Sequence, residues 1–261
     1  MTQSSTTDLS PGAHEYVLGL ADDEHMIGAR HTSWIGLGPF LEEDLAFCSI
    51  AQDELGHAIA LYELLVDDDT GANLDEFAMT RAPADYRSCH LAERECSEWS
   101  DSLVRHWLYD RAETIRWTAL TNSSNERLAS IAARALRDET FHLAHAAQFM
   151  SRITPDRPAQ VVTSIDALLP LAIGMWDPVA GEAAAVAEGI TNATSAELAE
   201  RWELAIRTDL ADWNLDIDWP SDAAVSAVLE AQAHRGGRTD GFDHFQSELR
   251  RVLDVDPTAT W

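Results

Sequence analysis

The sequence predicts an all-α fold organised around a four-helix bundle. Four long stretches in the first 152 residues repeat apolar side chains with helical spacing, and turn residues separate them. No segment shows the sustained alternation of apolar and polar residues that is typical of β-strands. The chain has 261 residues, of which 46% are hydrophobic, so it contains enough apolar material for a buried core.

The first helix is predicted to begin near Pro11, a residue favoured at the first helical position, and to end before the turn residues at 36–39. The other bundle helices are predicted at about 41–66, 89–120 and 126–153. The connection between the second and third helices is longer than the other two. Two antiparallel pairs joined by such a crossover are typical of the ferritin-like variant of the four-helix bundle.

Weaker helical segments follow the bundle, at about 159–175, 195–213, 221–234 and 242–253. No linker rich in Pro, Gly or Ser separates them from the bundle, so we expect additional C-terminal helices that pack on it. Residues 1–261 are therefore predicted to form a single ferritin-like domain, with a bundle core at about 11–153 and C-terminal helices at about 159–253. The Arg235-Gly-Gly-Arg238 turn is expected to end a helix at the surface, with contact to a phosphate group as an alternative.

The chain is strongly acidic. Its 45 Asp and Glu residues against 18 basic residues give a formal net charge of −27, which argues against binding to nucleic acids or to anionic membrane surfaces. All basic residues are arginine, and no lysine occurs. An acidic, lysine-free surface suits a protein that stays soluble at high salt, so we expect a halophilic protein. The alternative is an ordinary acidic protein with biased codon usage.

The sequence favours a cytoplasmic location. The three cysteines, Cys48, Cys89 and Cys96, have neither the number nor the spacing of a disulfide framework or a zinc site. The opening segment lacks the basic and apolar regions of a signal peptide, and no apolar run is long enough to span a bilayer.

Two Glu-x-x-His motifs are candidate metal ligands. In Glu54–His57 and in Glu139–His142 the carboxylate and the imidazole are three residues apart, so each pair shares one face of its helix. Chance gives about one such pair in a chain of this composition, so the motifs alone are weak signals. Both continue apolar stripes, however, and therefore point inward. Because an unpaired buried carboxylate is unfavourable and no lysine is available, a metal ion is the simplest partner.

Two further inward-facing acids complete a symmetric pattern. Glu24 lies 30 residues before Glu54, and Asp110 lies 29 residues before Glu139, each on the helix that precedes the motif. In antiparallel pairs these separations place four carboxylates and two imidazoles at one level of the core. That is the ligand set of a di-iron or di-manganese carboxylate site. The predicted metal ligands are Glu24, Glu54, His57, Asp110, Glu139 and His142. The alternative is a bundle that kept buried polar residues after losing its metals.

Two neighbouring residues have open roles. Glu113 lies one turn from Asp110 and is either a seventh carboxylate ligand or a hydrogen-bonding partner of the ligands. His106 either orients Asp110 or is an ordinary buried histidine with its own hydrogen bonds.

These residues resemble a known family, the ferritin-like subunits of the multicomponent epoxidases that act on aromatic acyl-CoA thioesters such as phenylacetyl-CoA or benzoyl-CoA. The stretch from LADDEH to DELGHA (20–58) resembles the first helix pair of that family, and LYDRAET (108–114) with ARALRDETFHLAH (133–145) resembles the second. FAMTRAPADYRSCHLAE (77–93) in the crossover and GGRTDGF (236–242) near the C-terminus extend the similarity over most of the chain.

The resemblance implies a monooxygenase subunit that binds two iron ions, with manganese as the alternative metal. It also implies an aryl-CoA substrate, an external reductase as electron donor, and a second ferritin-like subunit as partner in a homo- or hetero-oligomer. It implies that the carboxylates of Glu24, Glu54, Asp110 and Glu139 act in catalysis by shifting between bridging and terminal coordination. In length, and in the segment GPFLEEDLA, the chain is more similar to the structural subunit of the family, which in familiar members has lost its ligands. A non-catalytic structural subunit and a ferritin-like protein that oxidises iron or handles peroxide are the alternatives.

The acidic composition makes a direct prediction about stability. Between about 0.1 M and about 1 M KCl the Debye length falls from about 10 Å to about 3 Å, so repulsion among carboxylates weakens. We expect the melting temperature to rise by about 5 °C or more over that range, measured by circular dichroism. Sucrose at matched osmolality is the uncharged control, and an unchanged melting temperature in KCl would contradict the halophilic interpretation.

Overall fold

The computed structural model describes residues 9–66, 73–156 and 158–256 of the chain. These residues contain no β-strand, and the prediction of an all-α fold is confirmed. In chain order the helices are α1 (Pro11–Thr32), α2 (Leu41–Leu65), α3 (Leu74–Met79), α4 (His90–Glu93), α5 (Trp99–Leu120), α6 (Glu126–Ile153), α7 (Pro158–Gly174), α8 (Glu182–Ala187), α9 (Ser195–Asp212), α10 (Asp222–Gln232) and α11 (Phe242–Val255).

Two helix hairpins form the bundle, and the sequence specifies their ends locally. α1 packs on α2, α5 packs on α6, and contact between α2 and α6 joins the two pairs. Ser10 accepts a hydrogen bond from the amide of Ala13 over 3.2 Å, which satisfies a free donor at the start of α1. Asn125 caps α6 in the same way through the amide of Leu128, over 3.0 Å. A long crossover joins the two hairpins, as in ferritin-like bundles, and it contains the short helices α3 and α4.

The predicted third helix is interrupted in the structure. The sequence pattern predicted one helix over about 89–120, whereas α4 ends at Glu93 and α5 begins at Trp99. Arginine side chains of α1 and α5 donate hydrogen bonds to carbonyl oxygens that would accept backbone hydrogen bonds if the helix were continuous. Arg30 Nε donates to the carbonyl oxygen of Glu93 over 2.8 Å, and Arg105 Nη1 donates to that of Arg94. The short helices α3 and α8 were not predicted either.

The first helix is buried on all sides over much of its length. Every residue from Tyr16 to His31 is buried, which is uncommon for a helix with acidic residues in its middle. α2 covers one side of it, while α4 and α8 lie against others. α1 is therefore a central helix of the molecule, and its charged residues need partners within the protein.

The C-terminal helices pack on the second hairpin. α7 and α9 both contact α5, and α10 packs on α7. Trp202 of α9 is 1% exposed, and its Nε1 donates to the carbonyl oxygen of Leu108 over 3.0 Å. Trp107 Nε1 donates in turn to Asp209 of α9 over 2.8 Å. Two indole rings with satisfied donors thus join α5 to α9.

The turn after α10 is not a simple surface turn. Arg235 is 2% exposed and pairs with Asp23 of α1, while Arg238 pairs with Glu93 of α4. The expectation that this turn only ends a helix at the surface, or meets a phosphate group, is therefore wrong for both arginines. Their guanidinium groups are used inside the protein, where buried carboxylates need compensation.

Within the described ranges, no helix combines the length and the hydropathy that crossing a bilayer would require.

The packing of α9 on α5 predicts the effect of one core substitution. We expect Trp202→Ala to lower the free energy of unfolding by about 3 to 5 kcal/mol, because it removes a large buried side chain and one hydrogen bond. The matched control is Leu204→Ala on the same helix, where the side chain is 69% exposed and the expected change is below about 0.5 kcal/mol. Urea denaturation measures both. A Trp202→Ala protein as stable as the Leu204→Ala protein would show that the C-terminal helices fold apart from the bundle.

Candidate metal centre

Three consecutive acidic residues of α1 face three different neighbours. Asp22, Asp23 and Glu24 are each at most 1% exposed, and successive helical residues point about 100° apart. Asp22 accepts a hydrogen bond from the hydroxyl of Tyr62 over 2.6 Å and pairs with Arg81. Asp23 contacts arginines, whereas Glu24 faces the core of the bundle. Only Glu24 is therefore directed at the predicted metal centre.

Glu54 lies at the middle of the candidate centre. Its Oε2 is 3.4 Å from His57 Nδ1, and its Oε1 is 3.4 Å from His142 Nδ1. Glu24 Oε2 approaches His57 Nδ1 to 3.1 Å, and Glu139 Oε1 approaches His142 Nδ1 to 3.2 Å. Two groups of potential ligands result, Glu24–Glu54–His57 and Glu54–Glu139–His142, each with its ligand atoms within 4.8 Å of one another. Glu54 belongs to both groups, as a bridging carboxylate would.

Asp110 lies outside these two groups. It is fully buried, and its Oδ2 is 2.9 Å from Nδ1 of His106 on the same helix. The structure thus brings five of the six predicted ligands together and turns the sixth toward a histidine. Burial raises the pKa of Asp110, and the negative charges of Glu54 and Glu113 raise it further, so its carboxyl group lies within electrostatic range of the centre.

The outer nitrogens of the two histidines are paired crosswise with acids that the sequence analysis missed. His57 Nε2 lies 3.2 Å from Asp138 Oδ2, and His142 Nε2 lies 3.3 Å from Asp53 Oδ2. Each aspartate comes directly before the glutamate of the opposite motif, so both motifs read Asp-Glu-x-x-His, which is the signal that could have identified them. A carboxylate on the outer nitrogen fixes the orientation of an imidazole ligand and makes it more basic.

The buried acids have strongly perturbed pKa values. Burial raises the pKa of Glu24, Asp110 and Glu139 well above the usual range, and the nearby Glu54 raises it further in each case. Burial also disfavours the charged form of Glu54, but the imidazoles of His142 and His57 beside its oxygens outweigh this effect and hold its pKa well below the usual value. Burial and mutual repulsion therefore favour the protonated form of Glu24, Asp110 and Glu139.

The pKa values of the two histidines are raised, which favours their charged form. Burial lowers the pKa of His57, but Glu54 and its other acidic neighbours outweigh this and raise that pKa to about 9. Burial lowers the pKa of His142, but the carboxyl groups of Asp53, Glu139 and Glu54 beside its ring nitrogens outweigh this effect and raise it. The site thus attracts positive charge, and metal ions that bind here would displace protons.

Several carboxylate oxygens at the site lack hydrogen-bond partners. Among the described residues, both oxygens of Glu54, both oxygens of Asp110 and Oε2 of Glu139 are inaccessible to solvent and accept no hydrogen bond. Such atoms are unfavourable in a protein interior. Carboxylate oxygens together with imidazole nitrogens suit iron, manganese and similar divalent ions. The residues present therefore fit a metal centre with two ion positions.

The neighbouring residues with open roles have distinct contacts. Glu113 Oε1 pairs with Arg116 over 3.1 Å, and Glu113 lies outside both ligand groups. His106 faces Asp110 on one side, while its Nε2 lies 3.3 Å from Nδ1 of His145 on the other. His145 Nε2 lies 2.9 Å from Glu43 Oε2. His106 thus lies between Asp110 and His145.

Comparisons with known proteins place this geometry in context. The model of the family described as phenylacetic acid catabolic protein matches residues 1–261. The chain is also similar to one of the subunits of the 1,2-phenylacetyl-CoA epoxidase from Escherichia coli (strain K12), with 25% identity over 254 residues. That alignment covers 94% of this chain and 98% of the relative. Both matches agree with the resemblance found in the sequence.

The ligand geometry predicts metal stoichiometry. Protein reconstituted with Fe(II) should hold about two ions per chain by elemental analysis, since Glu54 is shared between two ligand groups. A double His57→Ala, His142→Ala variant should lose most of this iron. His244→Ala removes an exposed histidine and serves as the control. If the double variant is folded and binds as much iron as the control, the site is elsewhere.

Proposed function

Because the chain belongs to the phenylacetic acid catabolic protein family, we propose that it is a metal-bearing subunit of a multicomponent monooxygenase. The proposed reaction is epoxidation of the aromatic ring of an aryl-CoA thioester such as phenylacetyl-CoA. The observation that carries this proposal is the position of Glu54 between His57 and His142, each of which also has a second carboxylate beside it. The family match over residues 1–261 gives this geometry its functional context.

The proposed metal centre is a pair of iron ions, with manganese as the alternative. Glu24 and His57 would hold one ion, Glu139 and His142 the other, and Glu54 would contribute to both positions. Asp110 would be the sixth ligand. When bound, the iron pair supplies the redox chemistry that activates dioxygen.

The protein contributes orientation and exclusion of water. Asp138 and Asp53 hold the outer nitrogens of His57 and His142, which directs Nδ1 of each ring toward the carboxylates. The indole of Trp117 is 1% exposed and packs against the His57 ring at a centroid distance of 5.6 Å. Phe47, also 1% exposed, packs against His106 at 5.4 Å. These aromatic rings shield the centre from solvent.

The proposed partners are an external reductase, the aryl-CoA substrate and a second ferritin-like subunit. The relative from Escherichia coli is by its name one subunit of an epoxidase, which supports assembly with other subunits. The loop before α2 and the first turns of that helix expose large apolar side chains, at 63–70% for Leu37, Phe40, Leu41 and Leu45. We assign this surface to the second ferritin-like subunit, because contiguous exposed apolar side chains are typical of protein interfaces. We further propose that the complex is cytoplasmic.

A non-catalytic structural role in the same complex is the second candidate. The exposed apolar surface at the start of α2 favours this role, because a structural subunit needs a surface that contacts its partner but needs no catalytic residues. The buried carboxylates favour the catalytic role. Apolar residues would fill the same space without the free-energy penalty of burying several acids.

Reconstitution with a single altered chain separates the two roles. We expect Glu54→Ala in this chain to abolish epoxide formation by the complex while assembly is retained, because Glu54 belongs to both ligand groups. Glu63→Ala, at an exposed position of the same helix, is the control. Product formation by mass spectrometry and assembly by size-exclusion chromatography are the measurements. Full activity of the assembled Glu54→Ala complex would make this chain a structural subunit.

A further inference from the structure

The turn that follows α10 has an uncommon backbone. Three consecutive non-glycine residues, Ala233, His234 and Arg235, have φ values of 46°, 53° and 65°. This left-handed region disfavours residues with side chains, so contacts elsewhere must stabilise the turn. A Cβ atom on Gly237 would collide with the carbonyl oxygen of Ala231, so the turn also requires glycine at residue 237.

The turn carries the Arg235 side chain into the protein interior. Arg235 Nη1 donates to Asp23 Oδ2 over 2.7 Å and to the carbonyl oxygen of Arg87 over 3.2 Å. Its Nη2 donates to the carbonyl oxygen of Met175, which follows α7. One guanidinium group thus connects the C-terminal turn with α1, with the segment before α4 and with the end of α7.

Asp23 is shared between Arg235 and a second buried arginine. Arg116 Nη1 of α5 lies 3.1 Å from Asp23 Oδ2 and 3.1 Å from Glu113 Oε1. Asp23 Oδ1 also accepts a hydrogen bond from the amide of Cys89 over 2.7 Å. Two guanidinium groups and two carboxyl groups therefore form one network in which each group has a partner of opposite formal charge.

This network ends at the candidate metal centre. The carboxyl groups of Glu113 and Glu24 interact, since burial and then Glu113 raise the pKa of Glu24, and Asp23 is the residue directly before Glu24 in α1. The hydroxyl of Tyr109 donates to Glu24 Oε1 over 3.0 Å. The position of the Glu24 side chain therefore depends on Tyr109 and on Glu113, which Arg116 holds.

We infer that Arg235 is a positioning residue for the metal centre, which through Asp23, Arg116 and Glu113 holds Glu24 in the geometry that binds metal. The inference rests on the metal centre proposed above. It explains why a strained turn far along the chain places a buried cation beside α1. Loss of Arg235 would leave Asp23 with Arg116 alone and would draw Arg116 away from Glu113.

The chain offers a matched control for this inference. Arg81 also pairs with a buried aspartate of α1, Asp22, and its side chain is 12% exposed against 2% for Arg235. Asp22 contacts Tyr62 and the amide of Arg87, and within the described part of the chain it belongs to neither ligand group. Arg81→Met should therefore destabilise the fold in a comparable way without moving Glu24.

The experiment compares cobalt binding by four metal-free proteins: wild type, Arg235→Met, Arg235→Lys and Arg81→Met. Co(II) is titrated and followed by its visible absorption, which reports the coordination geometry, while circular dichroism gives the melting temperature. We expect Arg235→Met to weaken Co(II) binding by about 10- to 100-fold and to change the spectrum, as loss of a group that orients a ligand does. Arg81→Met should keep the wild-type spectrum and affinity despite a lower melting temperature. Arg235→Lys, which retains the charge, should give partial rescue.

Each outcome has a defined meaning. A folded Arg235→Met protein with the wild-type spectrum and affinity would overturn the inference, and so would an equal loss of binding in Arg81→Met. If Arg235→Met does not fold, the Arg235→Lys protein tests the inference, because an amine cannot make all three contacts of the guanidinium group. Weaker Co(II) binding by Arg235→Lys would then support the inference, and wild-type binding would contradict it. A wild-type protein that binds no Co(II) would overturn the metal centre as well, whereas wild-type binding that Arg235→Met leaves unchanged would overturn the positioning role alone.

Discussion

The burial of three consecutive carboxyl groups on α1 is the constraint on which much of this structure depends. A buried carboxylate without a partner is unfavourable by several kcal/mol, so each of these acids needs a compensating group from a different direction. Arg81 provides it for Asp22, and Arg116 with Arg235 provides it for Asp23. Because the chain contains no lysine, the permanent cations are arginines, whose planar group can contact a carboxylate and a carbonyl oxygen together.

Glu24 is the exception among these acids, and its surroundings show why the candidate centre is only partly symmetric. The two histidines are held in the same way, each by the aspartate of the opposite motif. The acids on α1 and α5 are held differently, because Glu24 contacts a tyrosine hydroxyl and Asp110 faces His106. A pattern that repeats in the sequence thus lies in two different environments in the structure.

The sequence predicted the parts of the structure that depend on local pattern. Apolar spacing and turn residues located the bundle helices, and equal separations in two helix pairs identified the Glu24 and Asp110 helices as neighbours of the motifs. Periodicity shows which face of a helix is buried, but it does not show which residue lies opposite. The crosswise pairs of His57 with Asp138 and of His142 with Asp53 were therefore missed. The break before α5 and the inward path of Arg235 depend on side chains distant in the sequence, which no local pattern encodes.

The ion pair between Asp23 and Arg235 also has a consequence for the order of events during synthesis. The two residues are separated by 212 positions, so at about 5 to 20 residues per second the ribosome needs roughly 10 to 40 seconds to supply the second partner after the first. During that interval Asp23 lacks one of the two arginines that its burial requires. The buried contact between α1 and the turn after α10 can therefore close only long after α1 itself has been made.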